Sequence, residues 1–277
     1  MSSEEQFCQK LLDDIENDRL VLPTLPEVAL RIREAMDDPN VSVNRLADAI
    51  SSDAALSARL IRVANSALIR GVVKVDNLQT AITRMGLTFV RNLATGLAME
   101  QMFQATNDLV DAKLREVWQH SIEVASICHV LAKHYTRLPP DQATLIGLVH
   151  EIGILPILTA AEERPDFLTD AQALDRIIAK IHPRIGQAIL ETWGFPEELS
   201  CVPTQYLEFS RDAETPDYAD IVTVASLQTF AGSNHPLAQV DWNNVSSFHR
   251  LGLASDVEVT EIEGISEEVE EAKEVLM

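Results

Sequence analysis

The residues best suited to chemistry are three histidines, His120, His150 and His182, and the glutamate that follows the second, in Leu148-Val149-His150-Glu151-Ile152-Gly153. Imidazole nitrogen and carboxylate oxygen form the ligand set for Zn, Mn or Fe where no thiolate is present. Thiolates are not at hand. Cys8, Cys128 and Cys201 are odd in number and far apart, with no CxxC pair, and read as buried structural thiols in a reducing compartment. Neighbouring residues on a helix point about 100° apart, so His150 and Glu151 converge on one ion only at a helix edge. The histidines meet only if successive helices pack side by side. The competing reading of each is a buried imidazole hydrogen-bonded to a neighbour.

The remaining candidates read more plainly. His129 and His134 share a predicted helix with His120, but His134 lies 14 residues along, nearly four turns away. His235 precedes Pro236 in a turn and His249 lies before the tail, so both read as surface residues. Asn65-Ser66 reads either as a ligand-contacting pair or as a structural motif that caps and turns the chain, with the second preferred. Asp53 reads as a helix cap.

Helices must position these groups. Thr24-Leu25-Pro26-Glu27 has the form of a capped start, with Val28, Ile32, Ala35 and Met36 following at helical spacing. Asp37-Asp38-Pro39-Asn40 breaks that helix. Ser42 caps the next, with Leu46, Ala49 and Ile50, and a third begins near Asp53 with Leu56, Leu60 and Val63. A looser segment covers Ile69 to Val75. The helical pattern resumes at Ala81 and Ile82, then continues through Phe89, Val90, Leu93 and Leu97. Polar residues from Gln104 to Lys113 mark the expected junction between two helical subdomains. Further helices are expected over Val117 to His134, Ala143 to Leu155 (kinked or ended by Pro156) and Ala171 to Lys180. Another should open at Pro183 and stop at Gly194, with a last one over Ile221 to Phe230. Arg164-Pro165-Asp166 separates two of these. The fold class is all-α.

The chain has 277 residues, with 46% hydrophobic and 23% charged, an ordinary globular balance. Lys and Arg total 22 against 43 Asp and Glu, for a net charge of −21. Such a charge repels phosphate backbones, so no direct nucleic-acid partner is expected. No run of 18 uncharged apolar residues is evident, and the start lacks the pattern of a secretory signal, so no membrane association and a cytoplasmic location are expected. From Asp256 to Met277 nine acidic residues face one Lys273. The segment reads as an acidic arm for a basic partner or, more simply, as a solvated or partly helical tail whose Val269, Ala272, Val275 and Leu276 form one apolar stripe.

Several motifs in order resemble the HDOD domain family. They are Leu22-Pro23-Thr24-Leu25-Pro26; Arg45 to Leu56; Arg59-Leu60-Ile61-Arg62-Val63-Ala64-Asn65-Ser66; and Gln79 to Gly86. Trp118-Gln119-His120-Ser121, Gly147 to Gly153, His182 to Gly186 and Trp193-Gly194-Phe195-Pro196 complete the series. The resemblance covers residues 20–232, leaving an N-terminal helix over 1–19 and the acidic segment 233–277. It implies an HD-like helical bundle (106–232) preceded by a smaller helical subdomain (20–105), and an output or regulatory role in bacterial signalling. The related HD phosphohydrolases bind metal through a His, a His-Asp pair, often further His residues, and a distal Asp. By resemblance His120 matches the first His, His150-Glu151 the pair with Glu for Asp, and His182 a further His. Thr204-Gln205-Tyr206 stands where a later His pair would fall, and Ser226 where the distal Asp would be. A two-ion hydrolase needs anionic ligands and a bridging carboxylate held in register. The implied reading is therefore a non-catalytic signalling module with no required cofactor, acting through a protein partner or small ligand. A residual site at His120, His150, Glu151 and His182 could hold one Mn, Fe or Zn. The alternative is a metal-dependent phosphohydrolase acting on a nucleotide or other phosphoester.

Overall fold

The computed structural model describes residues 3–277 apart from Asp18, Arg70, Val72, Pro165, Asp166, Thr169 and Glu263, with backbone only for Ser3 and Thr260. Arg70 and the Pro165-Asp166 break therefore lie outside the described residues. Among those described there is no strand. The first half holds α1 (Ser3–Glu16), α2 (Glu27–Met36), α3 (Val43–Ser51), α4 (Ala54–Ala64), α5 (Leu78–Met85) and α6 (Leu87–Ala98). The second begins with α7 (Asp108–Tyr135), α8 (Pro140–Val149), α9 (Ile154–Ala161) and α10 (Ala171–Thr192). Two single turns, α11 (Glu197–Ser200) and α12 (Val202–Gln205), lead to α13 (Tyr218–Thr229), α14 (Ser246–Leu251) and α15 (Ile265–Leu276).

Local chemistry explains most boundaries. Ser42 accepts a hydrogen bond from Arg45 N and Asp53 one from Leu56 N, capping α3 and α4 as expected. Thr24 does not cap α2. Pro26 occupies that position without a side-chain bond, because Leu22–Pro26 runs extended and is held to the end of α10 by Trp193 Nε1 donating to Pro23 O at 2.9 Å.

Two prolines sit differently from the sequence expectation. Pro156 neither ends nor kinks a helix: the break comes earlier, over His150–Gly153, and Pro156 lies in the first turn of α9, where an N–H has no intrahelical partner to lose. Pro183 does not open a helix but lies inside α10. The apolar stripe of Leu174, Ile178, Ile181, Ile185 and Ile189 runs unbroken across it, and that burial outweighs one missing backbone hydrogen bond.

Helix α7 is the axis of the bundle. Asn107 caps it by accepting from Leu109 N and Val110 N, within the polar stretch read as a junction. From Ser121 to Ala132 all but Glu123 is buried, because α8, α13 and α15 pack around it. Gly147 lets α8 approach closely: a Cβ there would lie 2.6 Å from Ala125 Cα. The segment Pro140–Ala161 has a mean hydropathy of 1.7, enough by length and composition to cross a membrane, but 83% of that window is buried inside the protein. It is core.

The acidic tail is anchored at its end. Val269, Ala272, Val275 and Leu276, the expected stripe, are all buried, with α15 against α7. Glu268 accepts from Lys133 Nζ at 2.8 Å and meets His134 Nε2 at 2.9 Å, while Lys273 Nζ donates to Glu123 at 2.8 Å.

Candidate metal centre

The close approach of α7 and α8 brings His120 and His150 together, with ring centroids 5.9 Å apart. His150 follows the last residue of α8, and its Nδ1 donates to Gly147 O at 2.8 Å. That bond fixes the proton on Nδ1 and leaves the Nε2 lone pair aimed inward. Glu151 follows in the turn, which presses on α10: a Cβ on Gly153 would lie 2.1 Å from His182 O. One ligand atom from each of His120, His150 and Glu151 falls within 4.8 Å of the others.

Electrostatics define the state of this triad. Burial holds the His120 imidazole down to about 4 and His150 to about 3, so both are neutral near pH 7. Glu151 is half-buried as a residue, but its carboxyl group lies deep enough that loss of solvent pushes it up to about 7, against the opposing charge of Lys113. The Nε2 atoms of His120 and His150 are buried without a hydrogen-bond partner. Buried nitrogens are rarely left unsatisfied, so two orphans facing one carboxylate fit a cation. Ligands about 2.1 Å from a shared ion sit roughly 3.4 Å apart in a tetrahedron, so closure needs rotamer shifts of about 1 Å. The residues fit one ion.

The fourth expected ligand has both ring nitrogens engaged. Of the four expected ligands, His182 stands apart: its Nδ1 donates to Ile178 O at 2.8 Å, and its Nε2 accepts from the Tyr206 hydroxyl at 2.9 Å. Burial holds His182 down to about 4 and raises the Tyr206 phenol well above its ordinary value, so both stay neutral. The Tyr206 ring meets His150 edge-on with centroids 5.2 Å apart, filling the space between the two histidines. Ser226, buried on α13, brings no charge. Tyr206→Phe should cost about 1 kcal/mol in denaturant unfolding and leave His182 Nε2 open to added metal.

Asn65 and Ser66 lie elsewhere, as a chain-turning motif. Asn65 Nδ2 donates to Val75 O at 2.7 Å and its Oδ1 accepts from Val75 N at 2.8 Å, while Ser66 Oγ donates to Val63 O. His129, buried, pairs with Thr144 Oγ1 at 3.0 Å.

Two features escaped sequence reasoning. Phe230, just past α13, stacks on His120 at 4.5 Å, and His235, exposed as expected, stacks on Phe230 at 3.7 Å. Asp220, fully buried on α13, accepts from Arg250, Arg211 and Ser247. A lone carboxylate leading the apolar run Ile221–Leu227 was its sequence signal. Both its oxygens are engaged by arginines, so it does not replace the missing distal carboxylate.

Comparison with known proteins bears on this geometry. The family description "HDOD domain" matches residues 22–206. A crystal structure from Shewanella amazonensis SB2B, provisionally named a metal-dependent phosphohydrolase, is 35% identical over the full length of both chains, with a TM-score of 0.88. An HDOD domain protein of unknown function from Geobacter sulfurreducens is 20% identical, covering 98% of this chain and 97% of its own, with a TM-score of 0.64. Among curated proteins, an uncharacterized protein of Treponema pallidum (strain Nichols) is 28% identical over 190 residues, 64% of this chain. The chain spans 36% of that relative's length.

Proposed function

We propose a function from one premise, that this chain belongs to the HDOD domain family: it is a non-catalytic regulatory module of bacterial signalling, acting in the cytoplasm through a protein partner or a small ligand. One observation carries the reading. The donors of the site number two open imidazole nitrogens and one carboxylate, while His182 Nε2 is taken up by the Tyr206 hydroxyl. Water activation between two ions needs more anionic ligands than this. Any ion held by His120, His150 and Glu151 serves structure or regulation. A surface with net charge −21 favours a protein partner over nucleic acid.

A second reading, metal-dependent hydrolysis of a nucleotide or other phosphoester by the same triad, draws support from the provisional name of the 35% identical Shewanella protein. The experiment that separates the two is an assay of the full chain with Mn, Fe or Zn against a panel of nucleotides and phosphoesters. The regulatory reading expects no turnover that depends on His150. Robust turnover abolished by His150→Ala overturns it.

A further inference from the structure

The C-terminal helix lies in a groove that it does not fill. Helix α15 packs against α7 of the second half and touches α4 and the single turn Ala67–Ile69 of the first. Its buried Val269, Ala272, Val275 and Leu276 supply the apolar contact. The groove supplies charge at both ends. Lys133 Nζ and His134 Nε2 meet Glu268 in the first turn at 2.8 and 2.9 Å. Arg59, on α4, donates to Leu276 O in the last turn, where a cation also suits the negative end of the helix dipole. Between them Glu123 accepts from Lys273 Nζ at 2.8 Å. Apolar anchors at helical spacing with charged flanks are how a groove recognises an amphipathic helix.

Three observations mark α15 as a loose occupant. An open cleft of about 310 Å3 remains beside its first turns, lined by Ala67, Leu68, Lys133, Glu267, Glu268 and Glu271. Ala67 is exposed there and Leu68 only half-buried. The buried Arg59 Nε has no partner, so the basic end holds a donor that α15 leaves unused. The helix also opposes its own formation. Gly264 at its N-cap offers no side chain to the free N–H groups. Glu267, Glu270, Glu271 and Glu274 enter no ion pair among the described residues, and they stand three or four apart, where like charges destabilise a helix. The ion pairs that do hold α15 are part-exposed and therefore screened by salt.

We infer that this groove is a docking site for an amphipathic helix of a partner protein, and that α15 holds the place in cis. The partner helix carries a carboxylate in its first turn, for Lys133 and His134. Apolar residues follow it at one, four, seven and eight positions, as they follow Glu268 in α15. Three positions after the carboxylate, where α15 has Glu271, it carries a bulky apolar residue that fills the cleft beside Leu68. The inference rests on the regulatory reading and names the surface through which that reading's protein partner binds.

The probes are dye-labelled peptides of residues 265–277, native, Glu271→Leu and Glu271→Gln, read by fluorescence anisotropy against the full chain. The chain is used as wild type, as Val269→Asp to drive α15 from the groove, and as Glu268→Lys to reverse its ion pairs. A fourth form combines Val269→Asp with Lys133→Glu. Circular dichroism and size-exclusion chromatography check folding and oligomeric state. Val269→Asp should bind the native peptide at least about tenfold more tightly than the wild type, whose tethered helix competes at high effective concentration. Adding Lys133→Glu should abolish that gain. The Glu271→Leu peptide should bind several-fold more tightly than Glu271→Gln, which removes the same charge without filling the cleft. A folded Val269→Asp that binds no better than the wild type overturns the inference; if it does not fold, Glu268→Lys decides by the same comparison. Equal binding of the Leu and Gln peptides also overturns it, because α15 is then the groove's proper occupant. So does a variant that dimerises in place of binding peptide, because the occupant is then a second copy. None of these readouts is turnover, so the regulatory reading stands or falls separately, on His150-dependent activity.

Discussion

Asp220→Ala is expected to lower the unfolding free energy by about 3 kcal/mol, read from denaturant melts at neutral pH. The carboxylate is fully buried and accepts from Arg250 Nε and Nη2 at 2.8 and 2.5 Å, from Arg211 Nη2 at 2.8 Å and from Ser247 Oγ at 2.8 Å. Removing it leaves the Arg250 guanidinium without a counter-charge, held by its Nη1 bond to Arg211 O at 2.7 Å. Arg211 keeps Asp217 through two bonds of 2.5 and 2.6 Å, which holds the loss at the lower end of the range for breaking a buried pair. Burial pushes the Asp220 carboxyl up, but the bonds from Arg250 and Ser247 and the charge of Arg211 carry it below its ordinary value. A carboxyl lowered on folding stabilises the native state fully above its unfolded pKa, about 3.9 for Asp, and that contribution disappears as the pH falls through the folded value. The wild type should therefore lose stability more steeply than Asp220→Ala below about pH 4. Equal acid slopes for the two proteins would show that the network does not stabilise the fold.

The second large effect is expected from one methyl group. Gly153→Ala should cost about 3 kcal/mol and weaken divalent-cation binding by the triad. The added Cβ would lie 2.1 Å from His182 O and 2.6 Å from Gly186 N, both backbone atoms that cannot rotate away. The only relief is to part the His150–Gly153 turn from α10, and that turn carries two of the three ligands. Gly153 itself has an ordinary helical φ of −63°, so the penalty is steric and not conformational. Matched denaturant melts and metal titrations check it, and a variant as stable as the wild type would mean that the two elements are not packed as described.

What the sequence revealed of this fold was whatever depends on neighbours along the chain. Ser42 and Asp53 cap through bonds three residues long, and the Val269–Leu276 stripe follows helical spacing, so both were readable. The prolines misled because local rules price a missing N–H but not the burial on either side: Pro183 is carried by the isoleucines flanking it in α10. The site divides the same way. His120, His150 and Glu151 were singled out by residue type and matched to ligand positions by family resemblance, and the structure brings their ligand atoms together. His182 was drawn away by Tyr206, 24 residues distant, through a hydrogen bond that no spacing announces. Phe230 covers His120 from 110 positions along the chain, and Arg250 reaches Asp220 from 30 positions away, contacts that exist only once the bundle has formed.

The central claim, a metallohydrolase framework reduced to a regulatory module with room for no more than one ion, is tested most directly by counting. Elemental analysis of the full chain, purified without chelator or affinity metal and then equilibrated with Mn, Fe or Zn, should find no more than one tightly held ion per chain, lost on His150→Ala. Two ions per chain, both dependent on His150 and Glu151, would contradict it.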